Sequence, residues 1–202
     1  MQLGAIEEWD RLSERMNFLQ SERDDLQGAA SRLQDVIAEI DAEMSKRFET
    51  TFELIRAEFQ VLFRQLFNGG HADLELTDRR NLLRAGIEVA AQPPGKKLQN
   101  LNLLSGGERA LTAMALLFAI LRVRPVPFCV LDEVEAALDE ANVGRFAQQV
   151  RRFSEDTQFS LITHRRGTME EADVLYGVTM QESGISSLVG VRLQDTDDFE
   201  SA

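Results

Sequence analysis

Nowhere does the chain contain G-x-x-x-x-G-K-[ST], the glycine-rich loop that wraps nucleotide phosphates. Cysteine is almost absent: Cys129 stands alone, so no internal disulfide can form, and a reducing, cytoplasmic setting is expected. No apolar run approaches the roughly 20 residues that cross a bilayer. The longest candidate, Leu111 to Leu121, reads as a buried helix, and no basic-then-apolar leader is legible at the amino end. Positive charge is in short supply, with 22 Lys and Arg against 34 Asp and Glu and a net charge of −12. Such a chain is a poor autonomous ligand for DNA phosphates; Arg151-Arg152 and Arg165-Arg166 are small basic candidates. No His/Cys cluster has zinc-ligand spacing, and His71 has no companion.

Proline is missing from residues 5 to 67, and after Gly4 the only glycine there is Gly28. What fills the stretch is a heptad pattern. Leu12, Leu19, Leu26, Leu33 and Ile40 occupy one seam position; Trp9, Met16, Arg23, Ala30, Ile37 and Met44 occupy the other. Sustained 3.5-residue periodicity with polar flanks predicts a left-handed coiled coil of roughly 90 Å. After Met44 the phase jumps by four residues to Phe48, Phe52, Ile55, Phe59, Leu62 and Leu66. That stutter unwinds the supercoil and marks where the coil enters a globular part. The apolar stripe must be buried, yet no second heptad segment follows, so the partner helix is expected outside this sequence. Arg23, charged within the seam, either snorkels to solvent or specifies register.

Asn68-Gly69-Gly70 tolerates positive φ and predicts the end of the long helix. Ala72 to Thr77 and Gly86 to Ala91 read as paired strands, and Gln92 to Lys97 as a loop. Gly95-Lys96 lacks the earlier glycine and the following Ser or Thr of a phosphate loop. Next come a helix from about Gly107 to Arg122, a strand Phe128 to Leu131, a helix from about Asp139 to Glu155 and a strand Gln158 to Thr163. Val174 to Met180 and Gly184 to Leu193 read as closing strands. Alternating strands and helices predict an α/β sheet covered on both faces, with Phe128 to Leu131 buried on both sides.

Two elements could handle phosphate. Ser105-Gly106-Gly107-Glu108 opens an apolar helix: glycines allow close approach of an anion, the helix offers free N–H groups, and Ser105 can add a donor. A simple N-cap by Ser105 explains the tripeptide alone equally well. The second element places Asp132 and Glu133 at the carboxyl end of an apolar strand, where α/β sheets bind ligands. There Asp132 suits Mg²⁺ held through water, and Glu133 suits a general base. Asp139 can cap the next helix or sit between two nucleotide sites. His164, after Leu161-Ile162-Thr163, can hydrogen-bond a terminal phosphate.

These residues carry a family resemblance. LSGGE (Leu104 to Glu108) resembles the signature motif of ATP-binding-cassette ATPases. FCVLDE (Phe128 to Glu133) resembles their Walker B strand, Ala137-Leu138-Asp139 their D-loop, and Thr163-His164 their switch histidine. With a coiled coil leading in, PPGKK before LSGGERALTA, and DEVEAALDEAN after the strand, essentially the whole chain resembles the carboxyl-terminal head half of a bacterial structural maintenance of chromosomes (SMC) protein. Glu135 departs from the Asp more usual there, without expected consequence.

The resemblance implies half of an ABC-type head: an arm over 1–67, a lobe over 68–193 and an acidic tail over 194–202. The amino-terminal half would supply the phosphate loop, so the isolated chain is expected to bind ATP weakly and not hydrolyse it. Two heads would sandwich ATP and Mg²⁺. Ser105, Gly106, Gly107 and Glu108 would face the nucleotide of the opposite head, while Asp132, Glu133 and His164 would serve their own, with Asp139 in the D-loop. Implied partners are the amino-terminal half, a second SMC head, a kleisin subunit docking through its carboxyl-terminal winged-helix domain, and DNA in the full complex, with no membrane. The implied role is chromosome condensation and segregation in a nucleoid-associated cytoplasmic setting. Three rivals stand beside this reading: an SMC-like double-strand-break repair ATPase, a transporter's nucleotide-binding domain, and a non-catalytic coiled-coil adaptor.

Overall fold

The structure is a computed structural model that describes residues 3–182 and 185–193. The acidic tail expected over 194–202 lies outside the described residues. The chain divides into two compact units, Met1–Thr50 with Arg80–Arg84, and Thr51–Arg79 with Ala85–Ala202. The division falls inside the stretch 48–67, where the seam changes phase.

A single helix, α1, runs Leu3–Phe67 over 65 residues. In the first unit its seam is uncovered: Trp9 is 72% exposed and Leu26 69%, with Leu12, Met16, Leu19, Leu33, Ile37, Ile40 and Met44 all exposed. Arg23 points to solvent and pairs with the neighbouring Asp24 at 2.6 Å. In the second unit the shifted seam is covered. Phe52, Phe59, Leu62 and Leu66 are buried with Phe63 and Phe67, and Phe63 stacks on Phe67 with ring centroids 4.1 Å apart. Each such phenylalanine contributes about 2–3 kcal/mol by leaving water.

The helix stops as its chemistry requires. Asn68 takes φ 53°, and Gly69 and Gly70 take φ 133° and 77°, with Gly69 N–H closing onto Arg64 O at 2.9 Å. At Gly70 a Cβ would sit 2.4 Å from Gln92 O, so only glycine lets the strands start there.

The strands β1 (His71–Leu76), β2 (Ile87–Gln92) and the short β3 (Gln99–Asn100) form an antiparallel sheet in the order β1-β2-β3. Arg56 anchors α1 to it: Nε and Nη2 donate to the two carboxylate oxygens of Asp73 at 2.5 and 2.6 Å, and Gln60 adds a bond at 3.0 Å. The paired guanidinium holds the Asp73 carboxyl down at about 2. Helix α2 (Gly106–Val123) buries Leu111, Met114, Ala115, Phe118 and Ala119. Strand β4 (Phe128–Asp132) leads to α3 (Glu140–Phe153), β5 (Gln158–Ile162) and a single turn of helix, α4 (Arg166–Met169). Strands β6 (Val174–Glu182) and β7 (Ile185–Arg192) close the described chain as an antiparallel hairpin.

The elements agree with the α/β expectation; the sheet does not. In place of one sheet covered on both faces there are, among the described residues, three small ones, and β4 pairs in parallel with β5 alone. The strand expected to be buried on both sides is buried on one. Leu131 is 7% exposed, whereas Phe128 is 66% and Val130 59% exposed, and Ile162 on β5 is 55% exposed. Residues alternate across a strand, so one face of the β4-β5 pair is left uncovered by the described residues. The hairpin is barer still: Tyr176, Val178 and Leu188 are each more than 70% exposed. Tyr176 lies across Gly190, where a Cβ would approach the ring at 3.1 Å.

Candidate functional site

Helix α2 begins with a reciprocal cap. The Ser105 hydroxyl accepts from Glu108 N–H, and Glu108 Oε2 accepts from Ser105 N–H at 3.0 Å and from Ser105 Oγ at 2.8 Å. Lys96 Nζ reaches the same carboxylate at 2.8 Å. The Lys96 ammonium, aided by the Ser105 donors, lowers the Glu108 pKa against the opposing effect of partial burial. That the Pro-Pro-Gly-Lys loop braces this helix is not legible in spacing, because the pairing exists only in space.

The two glycines differ. Beside Gly106 there is open space, so the backbone stays free for a ligand. Beside Gly107 there is none: a Cβ would fall 2.9 Å from Ala137 O. The Ser105 turn thus abuts the 136–139 loop. Both edges contribute to a cavity of about 420 Å³, lined by Pro93, Pro94, Ser105, Gly107, Asp139 and Arg145, among others. Asp139 caps α3 through Asn142 N–H at 2.8 Å, as expected of an acid at that position.

The second group of expected residues gathers at the carboxyl ends of β4 and β5. Asp132 is exposed. Glu133 takes φ 45°, a left-handed conformation that costs a non-glycine residue about 1–3 kcal/mol and clusters at functional sites. Its N–H donates to Ile162 O at 2.9 Å. His164 Nδ1 stands 3.5 Å from Glu133 Oε1, with both side chains more than half exposed. The structure therefore brings Glu133 and His164 together and leaves them open to solvent. Among the described residues no group of three or more His, Cys, Asp or Glu is arranged to hold a metal. A magnesium ion here would rest on the Asp132 carboxylate and on oxygens from outside the protein, which suits an ion that keeps much of its water.

Glu135 is where sequence reasoning fell short. It is 2% exposed, accepts from the Thr163 hydroxyl, and accepts from Thr168 Oγ1 at 3.2 Å. It joins the strand end that carries Glu133 to the turn that carries His164. Three of the four basic candidates are committed to partners. Arg151 pairs with Asp173 at 2.5 Å, Arg166 with Glu170 at 2.8 Å, and Arg165 binds the backbone of the 136–139 loop. No helix among the described residues is long and apolar enough to cross a membrane.

Comparison with known proteins shows the family of the chain. Residues 13–187 match the family model described as "RecF/RecN/SMC N terminal domain". That description names an amino-terminal domain, whereas the motifs expected a carboxyl-terminal half. The chain is 65% identical to the chromosome partition protein Smc of Bacillus subtilis over 197 residues, 98% of this chain and 17% of that protein. It is 59% identical to the same protein of Desulfitobacterium hafniense, over 96% of this chain and 16% of that one. The chain thus spans about a sixth of the length of these relatives. Among solved structures it is similar to the Smc head domain with an extended coiled coil bound to the C-terminal domain of ScpA, from Pyrococcus furiosus. There the TM-score is 0.76 and the identity 35%, over 96% of this chain and 49% of that one. It is also similar to a chain from work on ATP-driven dimerization of SMC ATPases, with TM-score 0.68 and 39% identity, over 76% of this chain and 93% of that one.

Proposed function

Because the chain belongs to the RecF/RecN/SMC family, we propose that it is the carboxyl-terminal half of an SMC head, one whose ATPase is completed by an amino-terminal half. The observation that carries this reading is the pairing of an anion-ready turn at Ser105-Gly106-Gly107 with the open Asp132, Glu133 and His164 cluster, in a sequence without a lysine-bearing phosphate loop. The bare faces of β4-β5 and β6-β7 support it: a hairpin with this much exposed apolar surface needs a covering layer. In this reading 1–67 is the arm, 68–193 the carboxyl-terminal lobe and 194–202 an acidic tail.

The chemistry follows from placement. ATP is the substrate, and magnesium, when bound with it, neutralises charge on the phosphates. Asp132 would hold that ion through water. Glu133, beside the terminal phosphate of its own head's nucleotide, takes the proton of the attacking water, and His164 donates to the same phosphate. Ser105, Gly106 and Gly107 offer a hydroxyl and backbone N–H groups to the nucleotide of the opposite head, with Glu108 fixing the Ser105 rotamer. Nucleotide then acts as the ligand that favours engaged heads, and hydrolysis releases them. Similarity to Smc heads described as bound to ScpA supports a kleisin partner docking through its carboxyl-terminal winged-helix domain. Similarity to chromosome partition proteins supports work on DNA in chromosome condensation and segregation, in the nucleoid-containing cytoplasm.

The test is reconstitution with the amino-terminal half. Glu133→Gln in that assembly should keep ATP binding, abolish turnover and accumulate head dimers. Monomers persisting at saturating ATP would remove Glu133 from its role.

A further inference from the structure

We propose that Arg165 is a positioning residue: it clamps the 136–139 loop so that a head's own pocket and the pocket it completes on its partner depend on one guanidinium. The proposal rests on the ATPase reading above. Arg165 Nη2 donates to Ala136 O at 3.3 Å and to Leu138 O at 3.4 Å. Nη1 lies 3.6 Å from Glu140. Nε is buried with no hydrogen-bond partner among the described residues. Leaving a buried guanidinium N–H unmet is costly, so an arrangement that accepts it calls for a compensating role. Holding the carbonyls on either side of Ala137 from Nη2 while Nη1 faces Glu140 is such a role, and it suits a planar guanidinium better than a point charge.

Both ends of the clamp reach chemistry. Arg165 follows His164 directly, and its N–H donates to Thr163 Oγ1 at 2.9 Å. Thr163 in turn donates to the buried Glu135. On the other side, the two clamped carbonyls flank Ala137, whose own carbonyl lies against Gly107 of the Ser105 turn. The path therefore runs from Glu133 and His164, through Arg165, to the turn offered to the opposite head. Contiguity alone does not establish coupling, so the experiment reads the two sites separately.

The complete protein is prepared as mixed dimers in which only one head carries Arg165→Ala. Adding Glu133→Gln to that same head silences its own pocket and leaves the partner's pocket, which uses the altered head's Ser105 turn. Adding Glu133→Gln to the other head leaves only the altered head's own pocket. Turnover should fall about tenfold or more in both arrangements, with ATP affinity unchanged. Loss confined to the altered head's own pocket would overturn the proposal. Arg165→Lys, a milder change, is read in the same dimers and is the deciding variant should the alanine protein not fold. It should be impaired at both pockets, because a single ammonium cannot hold the two carbonyls and face Glu140 at once; full activity at both would overturn the clamp. Dimers with one unaltered head and one Glu133→Gln head that show no turnover at all would instead discredit the ATPase reading.

Discussion

At the scale of single residues, the cap of α2 sets the terms on which Ser105 can meet a phosphate. Ser105 is an N-cap, and its hydroxyl is already engaged with Glu108. Contact with a phosphate oxygen therefore means exchanging one anionic acceptor for another. Lys96 pairs with the Glu108 carboxylate at 2.8 Å, which holds it in place to accept from Ser105. Lys96→Ala should weaken ATP-dependent head engagement about three- to tenfold while leaving ATP binding by the same head unchanged, as read by titrating a fluorescent nucleotide and by sizing the dimer. Arg56 and Asp73 make the clearest pH prediction. The folded Asp73 pKa, about 2, lies below its ordinary 3.8, so its stabilisation is fully present above the unfolded value and is lost as pH falls through the folded one. The shift corresponds to about 2 kcal/mol. Urea midpoints of the parent and Asp73→Asn should differ at neutral pH and converge between about pH 4 and pH 2. None of these pairings could be read from spacing. Glu135, buried against two threonines, stood in the sequence only as a replacement for Asp without expected consequence, because burial is a tertiary property.

At the scale of elements, period carried most of the information. The seam of α1 was legible because a 3.5-residue repeat sustained over five heptads has few other causes. Its phase change was legible because phenylalanines crowd the shifted seam, and Phe52, Phe59, Phe63 and Phe67 are buried there. The stop at Asn68-Gly69-Gly70 was legible because positive φ demands such residues. Gly70→Ala should therefore cost more than the usual helix-end substitution: its Cβ meets Gln92 O and its φ is unfavourable. A loss of about 2 kcal/mol or more, measured from denaturant midpoints, is expected. Short elements escaped notice, β3 with two residues and α4 with four, since neither is long enough to show a period. The β4 strand was misread in an informative way. Four consecutive apolar residues encode a strand covered on both faces, whereas within this chain Phe128 and Val130 are bare.

At the scale of the whole molecule, the uncovered surfaces point to the same conclusion. The arm seam, the open face of β4-β5 and the β6-β7 hairpin expose apolar side chains that a self-sufficient domain would bury. Asp132, Glu133 and His164 stand in solvent, where a general base has little hold on its water. A chain with these properties should self-associate or be chaperone-dependent when made alone, and become monodisperse when co-produced with its amino-terminal half. Gel filtration distinguishes the two preparations. The central claim is that catalysis needs a lysine-bearing loop this sequence does not contain, and steady-state ATP turnover tests it most directly. The purified chain should show none above background, and mixing it with the amino-terminal half should produce turnover that Glu133→Gln abolishes. Turnover by the pure chain alone, lost on Glu133→Gln, would contradict the account.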